Sequence, residues 1–409
     1  MLCTPVPLSR RALLGGGVSF FAWSQIPGYA RAANRDPRLL VVILRGALDG
    51  MSAVAPVADP DYAALRASIA LEKDGERGGL ALDGFFVLHP SFQNFARLYK
   101  AGQASVVHAT ASAYRERSHF DGQDVLESGL GGVGRVDSGW LNRALQQLPA
   151  GERVHAKGAL GIGTMTPLIL RGSAPVMGWA PQTVAAAGDD LAMRVLDLYN
   201  RRDPALAVAL RGGLDTDMMA RRGGLSGDMA KMQGGSDSPK GMAQAAAGAA
   251  KLLAADDGPR VAALSFDGWD THAQEGGVKG RLAYLLAGLD GAFAAFEDGL
   301  KPVWNDTAIL VVTEFGRTAK INGTDGTDHG TGTVAFLLGG AVKGGRVIAD
   351  WPGLKTAQLY ESRDLKPTTD LRAVMKGLLA DHLGVAATAL ADKVFPGSGN
   401  IAPMKGLLV

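Results

Sequence analysis

The chain has 409 residues, 42 basic and 40 acidic, for a formal net charge of +2, so it lacks the basic excess that a nucleic-acid or anionic-membrane partner demands. Hydrophobic residues make up 47% and charged residues only 20%, ample for a large core and too apolar for a disordered chain. The single cysteine, Cys3, lies in the N-terminal leader, which excludes Cys-rich zinc or iron–sulfur sites from the remainder and suits an oxidising compartment.

Residues 1–33 read as a targeting segment and residues 34–409 as one α/β unit. Ser9-Arg10-Arg11-Ala12-Leu13-Leu14 precedes a modest apolar stretch to Trp23, Ala30-Arg31-Ala32 offers a small-residue cleavage site, and no acid occurs before Asp36. These are the parts of a twin-arginine signal peptide. The apolar stretch is broken by glycine and falls short of the ~20 residues that a spanning helix needs. The expectation is a periplasmic or secreted protein exported by the twin-arginine translocation machinery.

In chain order, LLVVILRGALDG is a short apolar strand leading to Asp49, and SVVHA reads as a strand ending at His108. The stretch 115–129, RERSHFDGQDVLESG, is dense in ionisable side chains. Residues 139–148 resemble a short helix, and MTPLILRGSAPVMGWAP reads as strand plus loop. From about 189 to 255 the pattern turns to Met-, Ala- and Gly-rich helical pieces, broken at Gly212-Gly213, Gly223-Gly224 and Gly234-Gly235, which reads as an inserted cap. RVAALSF returns to the core and ends at Asp267. Leu282, Leu285, Leu286, Leu289, Phe293 and Phe296 then recur at helical spacing before the strand TAILVVT, which stops at Glu314. VAFLLGG and GRVIADW are further strands, and Thr368-Thr369-Asp370 begins a helix through Leu379.

Continuous apolar runs of this length are strands buried on both faces of a mainly parallel sheet, where ligands bind beyond the carboxyl ends. Asp49, Asp267 and Glu314 should therefore converge. Crowded carboxylates need a cation or a shared proton, and His272 and His329 supply the nitrogen ligands that transition metals favour. In FDGWDTH, Asp267 and His272 can aim at one ion, with Asp270 as a third ligand or as the group that orients the histidine. In GTDGTDHGTG, glycines flank Asp328-His329 and permit close backbone approach. The loop lacks the closing Glu of an EF-hand. The residues by themselves point to a metal-dependent α/β hydrolase. Arg317 is either an anion clamp or a salt-bridge partner of Glu314, and His89, His108, His155 and His382 read as structural.

The order and spacing of these clusters resemble the alkaline phosphatase superfamily, especially its phosphopentomutase-like and sulfatase-like branches. LRGALDGMS, RSHFDGQDVLESG, FDGWDTHA, TEFGRT, GTDHGTG and DLRAVMKGLL together resemble a bacterial family of exported proteins known as domain of unknown function 1501. The resemblance implies a three-layer α/β/α fold with a mainly parallel sheet and a helical insertion. It implies one metal site from Asp267, His272 and His329 and a second from Asp49 and Glu314, for one or two divalent ions (Zn, Mn, Mg or Ca). The second site departs from the superfamily pattern, because Glu314-Phe315 stands where an Asp-His pair is expected. The resemblance also places the nucleophile within 115–129, where Ser118 is the candidate, with His119 as ligand or acid/base and Arg117 beside it. The alternative for Ser118 is a helix N-cap. The implied activity is hydrolysis of a small anionic phosphate or sulfate ester. The rival reading is a non-catalytic envelope module that binds a partner protein on a degenerate hydrolase fold.

Overall fold

The computed structural model describes residues 36–149, 158–163, 165–181, 189–225 and 233–409. The chain divides into two units, Met1–Asp36 and Pro37–Val409, and the second holds the sheet, its helices and the candidate site. The expected signal peptide and His155 lie outside the described residues.

The strands are β1 (Arg38–Leu44), β2 (Val54–Ala55), β3 (Leu80–Ala81), β4 (Val87–Leu88), β5 (Ala104–Ala111), β6 (Ala159–Ile162), β7 (Val176–Trp179), β8 (Val261–Phe266), β9 (Thr307–Thr313), β10 (Thr333–Leu338), β11 (Arg346–Ile348) and β12 (Thr369–Asp370). The helices are α1 (Gly50–Ala53), α2 (Tyr62–Arg66), α3 (Gln93–Lys100), α4 (His119–Ser128), α5 (Trp140–Leu145), α6 (Asp189–Arg202), α7 (Pro204–Arg222), α8 (Pro239–Ala254), α9 (Arg281–Gly299), α10 (Leu371–Leu383) and α11 (Ala387–Ala389). The main sheet runs β11-β5-β10-β9-β1-β8-β6-β7, with β12 also on β5, and β2, β4 and β3 form a small second sheet.

All seven residues of β1 are buried, and it pairs in parallel with β8 on one side and β9 on the other. Alternate side chains supply two cores. Leu40, Val42 and Leu44 pack with Phe92 and Phe95 of α3 and its approach, Met242 and Ala246 of α8, and Leu285 and Phe293 of α9. Leu39, Val41 and Ile43 pack with Trp140 of α5 and Val374 and Leu378 of α10. Each such side chain contributes about 1.5–3 kcal/mol relative to exposure, and a strand buried on both faces must be apolar throughout. The result is the expected three-layer α/β/α arrangement around a mainly parallel sheet.

The expected strands and helices of the core are present, including the helix from Arg281 with its apolar residues at three- and four-residue spacing. The helix expected near Thr368 starts at Leu371, with the Asp370 carboxylate accepting from Arg372 N and Gly384 ending it in the left-handed region. The expected insertion is divided: among the described residues α6 adds nothing to the two cores, α7 adds Met219 and Ala220 near its C-terminal end, and α8 buries Met242, Ala249, Ala250 and Leu253 in the main core.

One strand decides the geometry of the site. β10 runs antiparallel to β5 and β9, while the other pairings of the main sheet are parallel. The residues before β10 therefore arrive at the same edge as the residues after β1, β8 and β9. GTDHG, although it precedes its strand, meets chain segments that follow theirs. No helix among the described residues is long and apolar enough to cross a membrane.

Candidate metal centre

His119 is the first residue of α4, reached from β5, and Asp270 and His272 follow β8. Glu314, Phe315 and Arg317 follow β9, and Asp328 and His329 lead into β10. Close backbone approach makes this convergence possible. Gly46 has φ +119°, and a Cβ there would lie 2.6 Å from Asp270 N; a Cβ on Gly326 would lie 2.3 Å from the His272 carbonyl oxygen.

Four donor atoms meet. His119 Nε2 and His272 Nε2 each lie 2.9 Å from His329 Nε2. Asp270 Oδ1 lies 3.0 Å from His272 Nε2, 3.2 Å from His329 Nε2 and 3.4 Å from His119 Nε2. The ligand atoms of His119, Asp270 and His329 all fall within 4.8 Å of one another. The site is open: the Asp270 and His272 side chains are 41% and 45% exposed, so a small molecule reaches them from solvent.

The other nitrogen of each ring settles its protonation. His329 Nδ1 lies 2.8 Å from the Arg117 carbonyl, which only accepts. His119 Nδ1 lies 2.8 Å from Glu314 Oε1 and His272 Nδ1 lies 3.1 Å from Asp328 Oδ1. Burial pushes the Glu314 carboxyl up, but hydrogen bonds from His119, Gly46 N and Gln123 outweigh it and hold the group below its usual range. Desolvation likewise opposes Asp328, and Asn322 and His272 bring it below. Both are carboxylates, so all three Nδ1 atoms donate and every neutral ring turns a bare Nε2 lone pair toward the others. Burial also works against the Asp270 carboxylate, and hydrogen bonds from His119 and His329 when those rings are protonated, and from Arg317, keep it well below the ordinary Asp value.

Three lone pairs and a carboxylate oxygen facing one another are repulsive without a cation. In the metal-free chain a proton relieves part of this: hydrogen bonds to Asp270 and then Glu314 push His119 up to about 9. The donor set suits a borderline transition ion, because zinc bonds of about 2.0–2.2 Å place tetrahedral ligands roughly 3.3 Å apart, close to the spacings present. Each histidine also has the carboxylate or carbonyl partner on its far nitrogen that metal-binding imidazoles normally carry.

The site differs from its expected composition. His272 and His329 belong to the cluster, and so does His119. Asp267 does not: its carboxylate accepts from the Ser236 hydroxyl, and Asp270 faces the histidines instead. The reason is local. Between the two acids Gly268 adopts φ +92°, and Trp269 is fully buried with its Nε1 donating to the Phe266 carbonyl. Asp49 is also elsewhere. It is wholly buried, its oxygens lie 2.5 and 2.7 Å from the two terminal nitrogens of Arg66, and it accepts from Ser52 N at the start of α1. Burial disfavours its charge, but Arg66 more than compensates. With a guanidinium already on Asp49 and Glu314 committed to His119, Gly46 and Gln123, the expected second metal site is not assembled.

Glu314 orients His119 and is not itself one of the four converging donors. Phe315, the departure from the superfamily pattern, is buried and stacks on the His119 ring at 5.0 Å, walling the cluster from the core. Arg317 is buried. Its Nη1 donates to Asp270 Oδ1 at 2.6 Å and its Nη2 to the Thr327 carbonyl, so its partner is Asp270 and not Glu314, and its charge is committed within the protein. Ser118 occupies the N-cap position of α4, yet its side chain makes no capping bond. Arg117, with φ +66°, lies between Glu361 and Asp364, and its carbonyl holds His329. His89, His108 and His382 bond to backbone carbonyls, as structural histidines do.

The chain belongs to the family described as protein of unknown function (DUF1501), which matches residues 36–394. No curated protein matches it. Among solved structures it is similar to Ps i-CgsB in complex with k-i-k-neocarrahexaose, with a TM-score of 0.43 and 11% identity over 90% of this chain and 75% of that one. It is also similar to alkaline phosphatase from the Antarctic bacterium TAB5 (TM-score 0.34, 12% identity, 75% of this chain and 92% of that one). A third is phosphonate monoester hydrolase of Agrobacterium radiobacter (TM-score 0.35, 13% identity, 86% of this chain and 74% of that one).

Proposed function

We propose that the protein is an exported metal-dependent hydrolase of phosphate or sulfate esters, working with one divalent ion held by His119, His272, His329 and Asp270. The observation that carries this reading is the set of three imidazole lone pairs fixed by their far-side partners and aimed, with a carboxylate, at one solvent-facing point. A cation bound there supplies Lewis-acid stabilisation for negative charge developing on the group transferred.

The chain's own residues supply orientation and anion recognition. Glu314, Asp328 and the Arg117 carbonyl hold the three rings in one tautomer, and Arg317 fixes Asp270. The first turn of the ten-residue α4 has no side-chain cap, so its N–H groups and the Ser118 hydroxyl stand beside His119. A helix start of this kind favours an anionic ester oxygen, and Ser118 is our candidate to attack or to anchor it. The zinc-like donor set favours Zn²⁺ or Mn²⁺ over Mg²⁺ or Ca²⁺, which prefer oxygen ligands.

Elemental analysis of the folded, exported protein tests the reading. About one equivalent of a transition metal is expected, lost in His272→Ala, together with turnover of an aryl phosphate or sulfate that fails in the same variant. Wild type without a divalent ion sinks it.

A second reading rests on α6 and α7, where Leu191, Met193, Leu198, Leu206, Val208 and Met218 are exposed. Apolar side chains gathered on one helical insertion suit a partner protein in the envelope. Metal without turnover, combined with partner capture abolished by polar substitution on these helices, favours it.

A further inference from the structure

Beneath the metal centre lies a second titratable cluster that the proposed chemistry does not use. Glu275 is fully buried, and no ion pair reaches it among the described residues. The groups facing it are Asp49 and Ser52 from the turn after β1, Tyr62 and Arg66 from α2, Thr271 on its own loop and Thr327 from the lead-in to β10. The single guanidinium here, Arg66, is spent on Asp49 through both terminal nitrogens. Its neighbour Arg317 spends its charge on Asp270.

Thr327 Oγ1 is the junction. It lies 2.7 Å from Glu275 Oε2, 3.1 Å from Asp49 Oδ2 and 3.3 Å from Arg317 Nε. A hydroxyl has one proton to give. Arg317 must donate to it, and of the two carboxyl groups only one can accept from it, so hydrogen bonds to both require the other to carry a proton. Asp49 is held ionised by Arg66, which leaves Glu275 as the acid. The ordered chain is Glu275 O–H to Thr327 Oγ1, then Thr327 O–H to Asp49. Glu275 Oε1 makes no well-formed protein hydrogen bond, and the Ser52 hydroxyl that faces the group is unpartnered as well, which suits the carbonyl oxygen of a neutral acid better than half of a buried charge.

We infer that Glu275 is held as a neutral carboxylic acid that donates through the Thr327 hydroxyl to the Asp49–Arg66 pair, and that it thereby positions Arg317 against the Asp270 carboxylate of the metal centre. Burial, reinforced by the Asp49 charge, pushes the group up to about 8, in line with this geometry. Glu275 is a positioning residue: loss of its proton would set two carboxylates against one Thr327 proton and loosen the hydroxyl that receives Arg317 Nε. The positioning half rests on the metal reading; the proton does not.

Infrared difference spectroscopy of the metal-free protein at neutral pH, wild type minus Glu275→Gln, should show the carbonyl band of a protonated carboxylic acid. The acid holds a proton that the unfolded chain gives up near 4.5, so wild type should lose stability relative to Glu275→Gln as pH rises from about 4.5 to about 8. Taking the difference removes the contribution of His119, common to both. Zn²⁺ titration against a chromophoric chelator at pH 7 should give Glu275→Gln an affinity within about threefold of wild type, and Glu275→Ala one about tenfold weaker. Should the Gln variant not fold, Thr327→Val removes the relay at near-constant volume and should shift the acid band. No acid band, a flat stability difference, or Gln as damaging as Ala to Zn²⁺ binding overturns the inference. A wild type that binds no Zn²⁺ but shows the band overturns the metal reading and the positioning role together, and leaves the buried proton supported.

Discussion

Asp49 and Asp270 both follow core strands of the same sheet, and they have opposite fates. Asp49 is sealed inside with a guanidinium of the same chain on both its oxygens, whereas Asp270 is 41% exposed and faces three imidazoles that have no protons to offer it in their neutral form. An acid at a strand end thus marks a cation requirement, and what differs is who supplies the cation. At β1 it is Arg66, at the end of a short helix. At β8 Arg317 reaches the same Asp270 oxygen that faces the imidazoles, and the three lone pairs around it still call for a further positive charge from outside, a proton or a metal ion.

The largest effect expected of this contrast is on stability. Arg66→Met leaves Asp49 buried without its guanidinium and should cost about 3–5 kcal/mol in urea unfolding. The metal content of whatever remains folded should be unchanged. Next, His329→Ala removes the nitrogen that both other imidazoles approach. Zn²⁺ affinity should fall by about 100-fold or more, with little change in the stability of the metal-free chain.

Wild type itself offers the third check, through pH. His119 rises from an ordinary 6.5 to about 9, so its contribution to metal-free stability is fully present below about 6.5 and lost as pH rises through about 9. Zn²⁺ must displace the same proton, so affinity should climb with pH and level off near 9, as isothermal titration in buffers of different ionisation enthalpy would show. The smallest effect belongs to Asp267→Asn. With its carboxylate on Ser236 and not on the cluster, the substitution should leave Zn²⁺ affinity within about twofold of wild type. A tenfold loss would return Asp267 to the metal.

The sheet was legible because strands buried on both faces must be continuous apolar runs, and β1, β8, β9 and β10 are such runs. His272 and His329 were legible for a related reason: polar, Gly-flanked clusters beside those runs have few places to go. The choice between Asp267 and Asp270 was not, because it depends on a left-handed Gly268 and on Trp269 entering the core, a turn that composition does not specify. Arg66 carried no signal either. It pairs with an acid 17 residues earlier across a loop without periodicity, and only the folded path of α2 brings it there. Glu275 was hidden by its loop, where an acid is ordinarily solvated, whereas here Gln274 adopts φ +48° as Glu275 enters the interior.

The threading of the sheet fixes when the centre can exist. β1 is made early, but its two neighbours pair with it through Val261 and Thr307, and His119 and His329 are 210 residues apart. Such long-range pairing is slow, and none of it can begin until the later strands have been synthesised. A nascent chain that has emerged only as far as β9 has Asp270, His272 and His119 but not His329, and β10 has not yet inserted beside β5. On the metal reading proposed above, binding would thereby be a late event, reserved for a finished molecule.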